Sequence, residues 1–178
     1  MIDVRKMHRE ESDLLSHIDR SEYIRAIYRQ IANGVEERAA GHECTGWDAA
    51  SLRKLQQRFE EELEAGGAAF GAFEGERLVG FAVLAHQFRG EHKDRLQLDL
   101  MYVTRSHRRQ GIGRSLMDEV KREAVLRGAR YLYISSTETD SAFNFYRDAG
   151  SEPTEEVDQE LFTLEPEDIH MIISLEKE

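Results

Sequence analysis

Cysteine is nearly absent from this sequence. Cys44 is the sole one in 178 residues, so no internal disulfide can form and packing must supply the stability. This usage suits a reducing compartment, and a cytoplasmic location is the expectation. Proline is as scarce: the only two, Pro153 and Pro166, fall late in the chain, so nothing of that kind breaks regular structure before them. No apolar run is long enough to cross a bilayer, and the opening MIDVRKMHRE lacks the apolar core of a signal peptide, so no membrane partner is expected. Positive charge is in deficit, with 24 Lys and Arg against 35 Asp and Glu, a net charge of −11. Such a surface repels nucleic acid, which is not expected as a partner, and attracts cations. Hydrophobic residues make up 40% and charged residues 33%, a globular composition with room for a core. There is no internal repeat and no low-complexity tract.

What is present reads as alternating strands and helices. MIDVRKM predicts an opening strand. SEYIRAIYRQI places Tyr23, Ile24, Ile27, Tyr28 and Ile31 at helical spacing, and NGVEERAAGHECTG reads as a loop. A firmer helix follows, with Asp48 as N-cap, Leu52, Leu55, Phe59 and Leu63 on one face, and Gly66-Gly67 as its stop. AAFGAFEGERLVGFAVLAHQF predicts two strands joined at Glu74-Gly75-Glu76. DRLQLDLMYV predicts a third strand with Leu96, Leu98, Leu100 and Tyr102 on one face. GIGRSLMDEVKREAVLRG predicts a helix striped by Ile112, Leu116, Val120 and Ala124. ARYLYISS reads as a strand, DSAFNFYRDAG as a short helix, and QELFTL and IHMIISL as two closing strands. The fold class is therefore α/β, with helices packed on a central sheet. One domain over 1–178 is expected, made of a strand and helical segment to residue 67 and a sheet-forming remainder.

The stretch RRQGIGRSL carries the chemistry. The first N–H groups of a helix lack internal partners and, with the helix dipole, attract an anion. Glycine lets phosphate oxygens approach the backbone. Arg105, His107, Arg108, Arg109 and Arg114 make a basic island here in an acidic chain, suited to an anion with two phosphates. The alternative reading is a tight strand–helix turn with a solvated basic loop. A Walker-type loop is excluded because Arg114, not Lys, follows Gly113. A dinucleotide fingerprint is excluded because Leu116 stands where the third glycine is needed.

RRQGIG resembles the Arg/Gln-x-x-Gly-x-Gly/Ala signature of the GCN5-related N-acetyltransferases, the GNAT superfamily. SAFNFYRDAG resembles the family's downstream Ala-x-x-Phe/Leu-Tyr-x-x-x-Gly motif, and FEGERLVGFAVL its upstream hairpin. The resemblance spans roughly 68–175 and implies a mixed, mostly antiparallel sheet whose splayed strand pair forms an acetyl-CoA cleft. It implies that Arg108, Arg109, Gln110, Gly111, Ile112, Gly113 and Arg114 hold the pyrophosphate, and that Met101, Tyr102 and Val103 pair with the pantetheine arm. An N–H near Val103 would stabilise the developing oxyanion. It also implies that Tyr146 is the general acid toward the departing thiolate. Two positions depart from the family pattern. Thr139 replaces a common Asn, a loss for which Asn144 is the candidate substitute, and Ser151 replaces a Phe.

The implied reaction is direct attack of a primary amine on the thioester in a ternary complex. Asp99 is the first candidate base and Glu138 the second; the alternative for Asp99 is a salt bridge at a strand edge. The acidic stretches GVEERAAGHE and GSEPTEEVDQE suggest a carboxylate-rimmed cleft for a small cationic acceptor. A silent acyl-CoA-binding regulator and a protein N-acetyltransferase are the alternatives. Homodimers are common in the superfamily, so one is possible here. His42-x-Cys44 reads as incidental and no metal is expected. Trp47 either packs at a helix start or lines the acceptor cleft.

Overall fold

Seven strands lie in the order β1-β4-β5-β6-β7-β9-β8 in a computed structural model that describes residues 1–176. They are β1 (Ile2–Met7), β4 (Ala68–Glu74), β5 (Arg77–Arg89), β6 (Arg95–Val103), β7 (Tyr131–Ser136), β8 (Glu152–Pro153) and β9 (Ile169–Ser174). Every pairing in this sheet is antiparallel except β6 with β7. That parallel pair requires a crossover, and α2 (Ile112–Leu126) supplies it. The other helices are α1 (Ala49–Glu64), α3 (Asp140–Asp148) and α4 (Gln159–Leu164). The expected domain runs to residue 178, and its last two residues lie outside those described. No helix among the described residues is long and apolar enough to cross a membrane.

Two apolar clusters sandwich the sheet. On one face Leu116, Val120 and Ala124 of α2 pack on Ala82, Leu84, Leu96, Leu98, Leu132 and Ile134. On the other, Leu55 and Phe59 of α1 pack on Phe81, Val83 and Leu100, with Leu15 from a 3-10 segment at Arg9–His17. Asp48 caps α1 as expected, accepting from the Ser51 N–H at 2.7 Å.

Three local expectations are corrected. First, Glu22–Ile31 is not a helix but strand β2, and Gly34–Cys44 is not a loop but strand β3. They form a separate two-stranded hairpin. Ile24 and Ala26 are buried and Tyr28 half-buried, a period of two hidden inside the helix-like count. Ile and Tyr pack well on a pleated surface, and β2 needs them there. β3 is exposed almost throughout, so no alternation marked it; its backbone pairing with β2 makes it a strand. Second, QELFTL is α4, not a strand. Asp158 caps it, accepting from the Leu161 N–H at 3.1 Å. Six residues are too few for periodicity to decide between helix and strand.

Third, β6 does not hold its four apolar residues on one face. Val83 pairs with Leu100 and Leu84 with Leu98, so Asp99 is an extra, bulged residue. The alternation inverts across it. Leu96 and Leu98 face α2, whereas Leu100 and Tyr102 face α1.

Candidate active site

The bulge coincides with a fork. β6 and β7 pair from Arg95↔Tyr131 to Leu98↔Ile134 and no further. Asp99 and Ser135 are therefore the first residues past the last pair, one on each branch. From Leu100 to Val103, β6 keeps its pairing with β5 but has no strand partner on the β7 side among the described residues. Met101, Tyr102 and Val103 thus present an unpaired edge to the gap, where an extended ligand can take the place of a strand.

The basic loop lies beyond this edge. Gly111 sits in the left-handed region at φ +84 and forms the N-cap of α2 without a side-chain bond, so the first-turn N–H groups, from Ile112, Gly113 and Arg114, face outward unsatisfied. Arg109 also has a positive φ, +61. The four arginines divide into two pairs. Arg108 donates to the Val103 carbonyl at 3.0 Å and to the Ser21 and Asp19 carbonyls at 3.0 and 3.3 Å. Arg105 is paired with Glu43 of the hairpin. These two pin the loop to the N-terminal segment. Arg109 and Arg114 have no ion pair among the described residues and are the cations left for an anion. Gln110 donates to the Ser106 carbonyl at 3.3 Å, bracing the turn. Gly113 has a requirement the sequence did not show: a Cβ there would lie 2.9 Å from the Phe145 ring of α3.

α3 brings the second motif to the same cleft. Thr139 caps it, accepting from the Ala142 N–H at 3.4 Å, which gives this departure from the family pattern a structural task. Phe143 packs against Tyr28 of the hairpin, ring centroids 4.3 Å apart. Asn144 accepts from Arg147 at 2.8 Å. Tyr146 is half-buried; desolvation, then Tyr102 and Asp168, push its phenol well above the ordinary tyrosine value. Ser151, the other departure, is buried where the chain enters β8.

On the α1 face of the fork Asp99 does not stand free. Arg58 grips both carboxylate oxygens, at 2.5 Å to Oδ1 and 3.1 Å to Oδ2. The salt-bridge alternative describes the geometry found. Glu138, the other candidate base, precedes α3 and its carbonyl accepts the Tyr28 N–H at 2.6 Å. Tyr102 stacks edge-on with Trp47 at 4.9 Å, and Arg20 lies over the same indole at 5.5 Å. Trp47 thus packs just before α1, against Tyr102 of β6.

The sequence matches the profile of the acetyltransferase (GNAT) family over residues 29–150. This chain belongs to the GNAT family. Solved GNAT-fold structures superpose along its whole length. Nourseothricin acetyltransferase does so with a TM-score of 0.72 at 20% identity, covering 98% of this chain and 99% of that one. The PaiA N-acetyltransferase of Thermoplasma acidophilum, solved with coenzyme A, gives 0.64 at 15% identity over 98% and 99%. Aminoglycoside 6'-acetyltransferase type Ii gives 0.64 at 16% over 99% of each. No curated protein sequence matches significantly.

Two features of this GNAT site were missed in the sequence. The hairpin reaches both cofactor-side elements: Glu22 accepts from Ser141 of α3 at 2.7 Å, and Glu43 pairs with Arg105 of the loop. The other is Asp168, just before β9. It accepts from Ser135 Oγ at 2.8 Å across the sheet, and burial, with Glu165 and Glu138, pushes it up to about 6. The only signal in the sequence was an acidic run, EPED, that gave no hint of its spatial neighbours. Several carboxylates of the acidic stretches expected to rim the acceptor side are paired with arginines. Glu36 and Glu37 pair with Arg38 and Arg25 on the hairpin. Glu156 pairs with Arg95, at the closed end of the β6–β7 pair, away from the fork.

Proposed function

We propose that this GNAT chain transfers an acetyl group from acetyl-CoA to a primary amine of a small cationic molecule, by direct attack in a ternary complex. The observation that carries this reading is the convergence on one fork of three parts: an unpaired strand edge, a helix N-terminus with two uncommitted arginines, and a desolvated phenol. Acetyl-CoA fits each part. The backbone N–H groups at the start of α2 and the Arg109 and Arg114 side chains suit its phosphates. The edge Met101–Val103 suits an extended amide-bearing arm, and Asn144 of α3 is the side chain offered to it. Tyr146 suits the sulfur.

The phenol of Tyr146 is held protonated, as a donor to a departing thiolate must be. A thiol has an ordinary pKa of about 8.5, below that of tyrosine at about 10, so full proton transfer from Tyr146 is uphill. Its contribution is a strong hydrogen bond to sulfur as charge develops there. A regulator that only bound acyl-CoA would need no such phenol. On the acceptor side an alkylammonium of pKa about 10.4 needs about 4–5 kcal/mol to become neutral at pH 7. Carboxylates at the fork favour its approach. Two of the solved structures are by name a nourseothricin acetyltransferase and an aminoglycoside 6'-acetyltransferase, which supports a small amine-bearing acceptor.

The test is a panel of polyamines, aminoglycosides, amino acids and peptide N-termini, scored by free-thiol release from acetyl-CoA. Turnover confined to polycationic small amines is the expected result. Acetyl-CoA binding with no turnover on any amine would leave the regulator reading in its place.

A further inference from the structure

We infer, taking the chain as the N-acetyltransferase proposed above, that Asp168 is the group that takes the proton from the acceptor amine, with Ser135 positioning it. The fork itself leads to this residue. Asp99 and Ser135 are the first residues past the last β6–β7 pair, so their side chains flank the mouth of the gap. On the β6 branch the carboxylate is committed to Arg58 through both oxygens. On the β7 branch there is no carboxylate in the strand; Ser135 instead reaches to Asp168 on the neighbouring chain segment. The serine occupies Oδ2 and leaves Oδ1 without a hydrogen bond among the described residues. The turn is rigid behind it, because the Asp168 N–H donates to the Glu165 carbonyl at 3.1 Å and β9 begins at the next residue.

The surroundings suit proton acceptance. Around the carboxylate are Ser135 of β7, Glu138 before α3, Glu165 at the end of α4, Arg58 of α1, and the phenols of Tyr102 and Tyr146. Glu138 and Glu165 attract the ammonium and oppose the ionised form of Asp168; Arg58 acts the other way. The balance, dominated by burial, holds the carboxyl at about 6, closer to a working pH than an ordinary aspartate. The Asp168 charge contributes to raising the Tyr146 phenol, so the two groups lie within electrostatic reach of each other.

The step balances. The bound ammonium gives one proton to the Asp168 carboxylate, which passes it to water. The nitrogen lone pair attacks the thioester carbonyl carbon, the C–N bond forms and the C–S bond breaks. The thiolate, held by a hydrogen bond from the Tyr146 phenol, takes up the second nitrogen proton. The products are the amide, the free thiol and one proton in solution.

The experiment is a pH profile of kcat/KM, taken with a slow amine so that chemistry limits the rate. The wild type should lose activity below a midpoint near pH 6. Asp168→Asn should lower the rate by a factor on the order of 10² to 10³ and abolish that acid limb, as removal of a positioned base does. Asp168→Glu should recover part of both, and Ser135→Ala should move the midpoint while keeping the limb. Acetyl-CoA affinity by calorimetry should be unchanged in all three. An active wild type with an Asp168→Asn variant that keeps its rate and acid limb overturns the inference. So does loss of the limb in Asp99→Asn with the limb of Asp168→Asn intact, which returns the base to Asp99. A wild type that binds acetyl-CoA and acetylates no amine overturns the transferase reading and the base with it.

Discussion

At the scale of single residues, burial pushes both Tyr146 and Asp168 above their ordinary values, and each carries a distinct expectation. Tyr146→Phe keeps the ring packed beside Phe145 and removes the hydroxyl. It should lower kcat by a factor on the order of 10², with little change in acetyl-CoA affinity. Steady-state kinetics and calorimetry together check this, and wild-type turnover with chemistry limiting would refute it. Asp168 also affects stability. Its value rises from 3.8 to about 6 on folding, so the native state binds the proton more tightly than the unfolded chain. Stability therefore falls as pH rises between those two values, and the ionised aspartate is a cost above them. The full shift corresponds to about 3 kcal/mol. Partial exposure screens it, leaving about 1–2 kcal/mol. Asp168→Asn should thus raise Tm at pH 7.5, and the advantage should shrink as pH falls toward 4. The comparison of variant with wild type matters here. His170, buried and held below its ordinary value, works the other way: the unfolded chain binds its proton more readily, so stability falls as pH drops through the range where a free histidine titrates.

At the scale of elements, the start of α2 meets α3 and the proposed phosphate site at once. Gly113 leaves space for the Phe145 ring. Overpacking of this kind costs about 1–3 kcal/mol. Gly113→Ala should lower Tm, and adding Phe145→Leu should restore part of the loss, as thermal melts would show. A Gly113 variant alone therefore cannot separate phosphate binding from packing. The double variant Arg109→Gln, Arg114→Gln can, since neither side chain is paired within the described residues. It should leave Tm unchanged and weaken acetyl-CoA binding by about tenfold or more, given about 1.5–3 kcal/mol for a hydrogen bond to a charged group. Unchanged affinity would remove the phosphate assignment. The hairpin β2–β3 is the second element with two roles. Its base is tied to the basic loop through Arg105 and Glu43 and to α3 through Ser141 and Glu22, the elements proposed to hold the cofactor.

At the scale of the molecule, the charge of −11 is spread unevenly. Many carboxylates are matched locally by arginine, including several of the two acidic stretches. Glu138 and Glu165, which raise Asp168, and Asp168 itself carry no ion pair among the described residues. Screening length falls from about 10 Å at 0.1 M salt to about 3 Å at 1 M, so steering of a polycation should fade over that range. With such an acceptor, kcat/KM should fall as salt rises, and Glu138→Lys with Glu165→Lys should reproduce part of the fall. Charge reversal at Glu155 and Glu156 should have little effect, because Glu156 faces Arg95 at the closed end of the strand pair. Rates insensitive to salt would show that the net charge does not bear on the acceptor.

Local chemistry was legible in the sequence because it is written in neighbouring residues. The cap at Asp48, the stripe of α2, the glycine turn at its start and the two spaced GNAT motifs all depend on spacing along one segment. The hydrophobic runs of β4, β5 and β7 declared themselves in the same way. What depended on the approach of distant segments was not legible. Whether Tyr23–Ile31 coils or extends was decided by β3, a polar strand with no pattern of its own, pairing alongside it. The inversion of faces in β6 was decided by one unpaired residue, Asp99, visible only in its register with β5. The fate of each carboxylate was decided likewise. Asp99 met Arg58 from α1, and Asp168 met Ser135 from β7, across separations of 41 and 33 residues. A carboxylate's role follows from its solvent and its neighbours, and those are properties of the folded chain rather than of the residue.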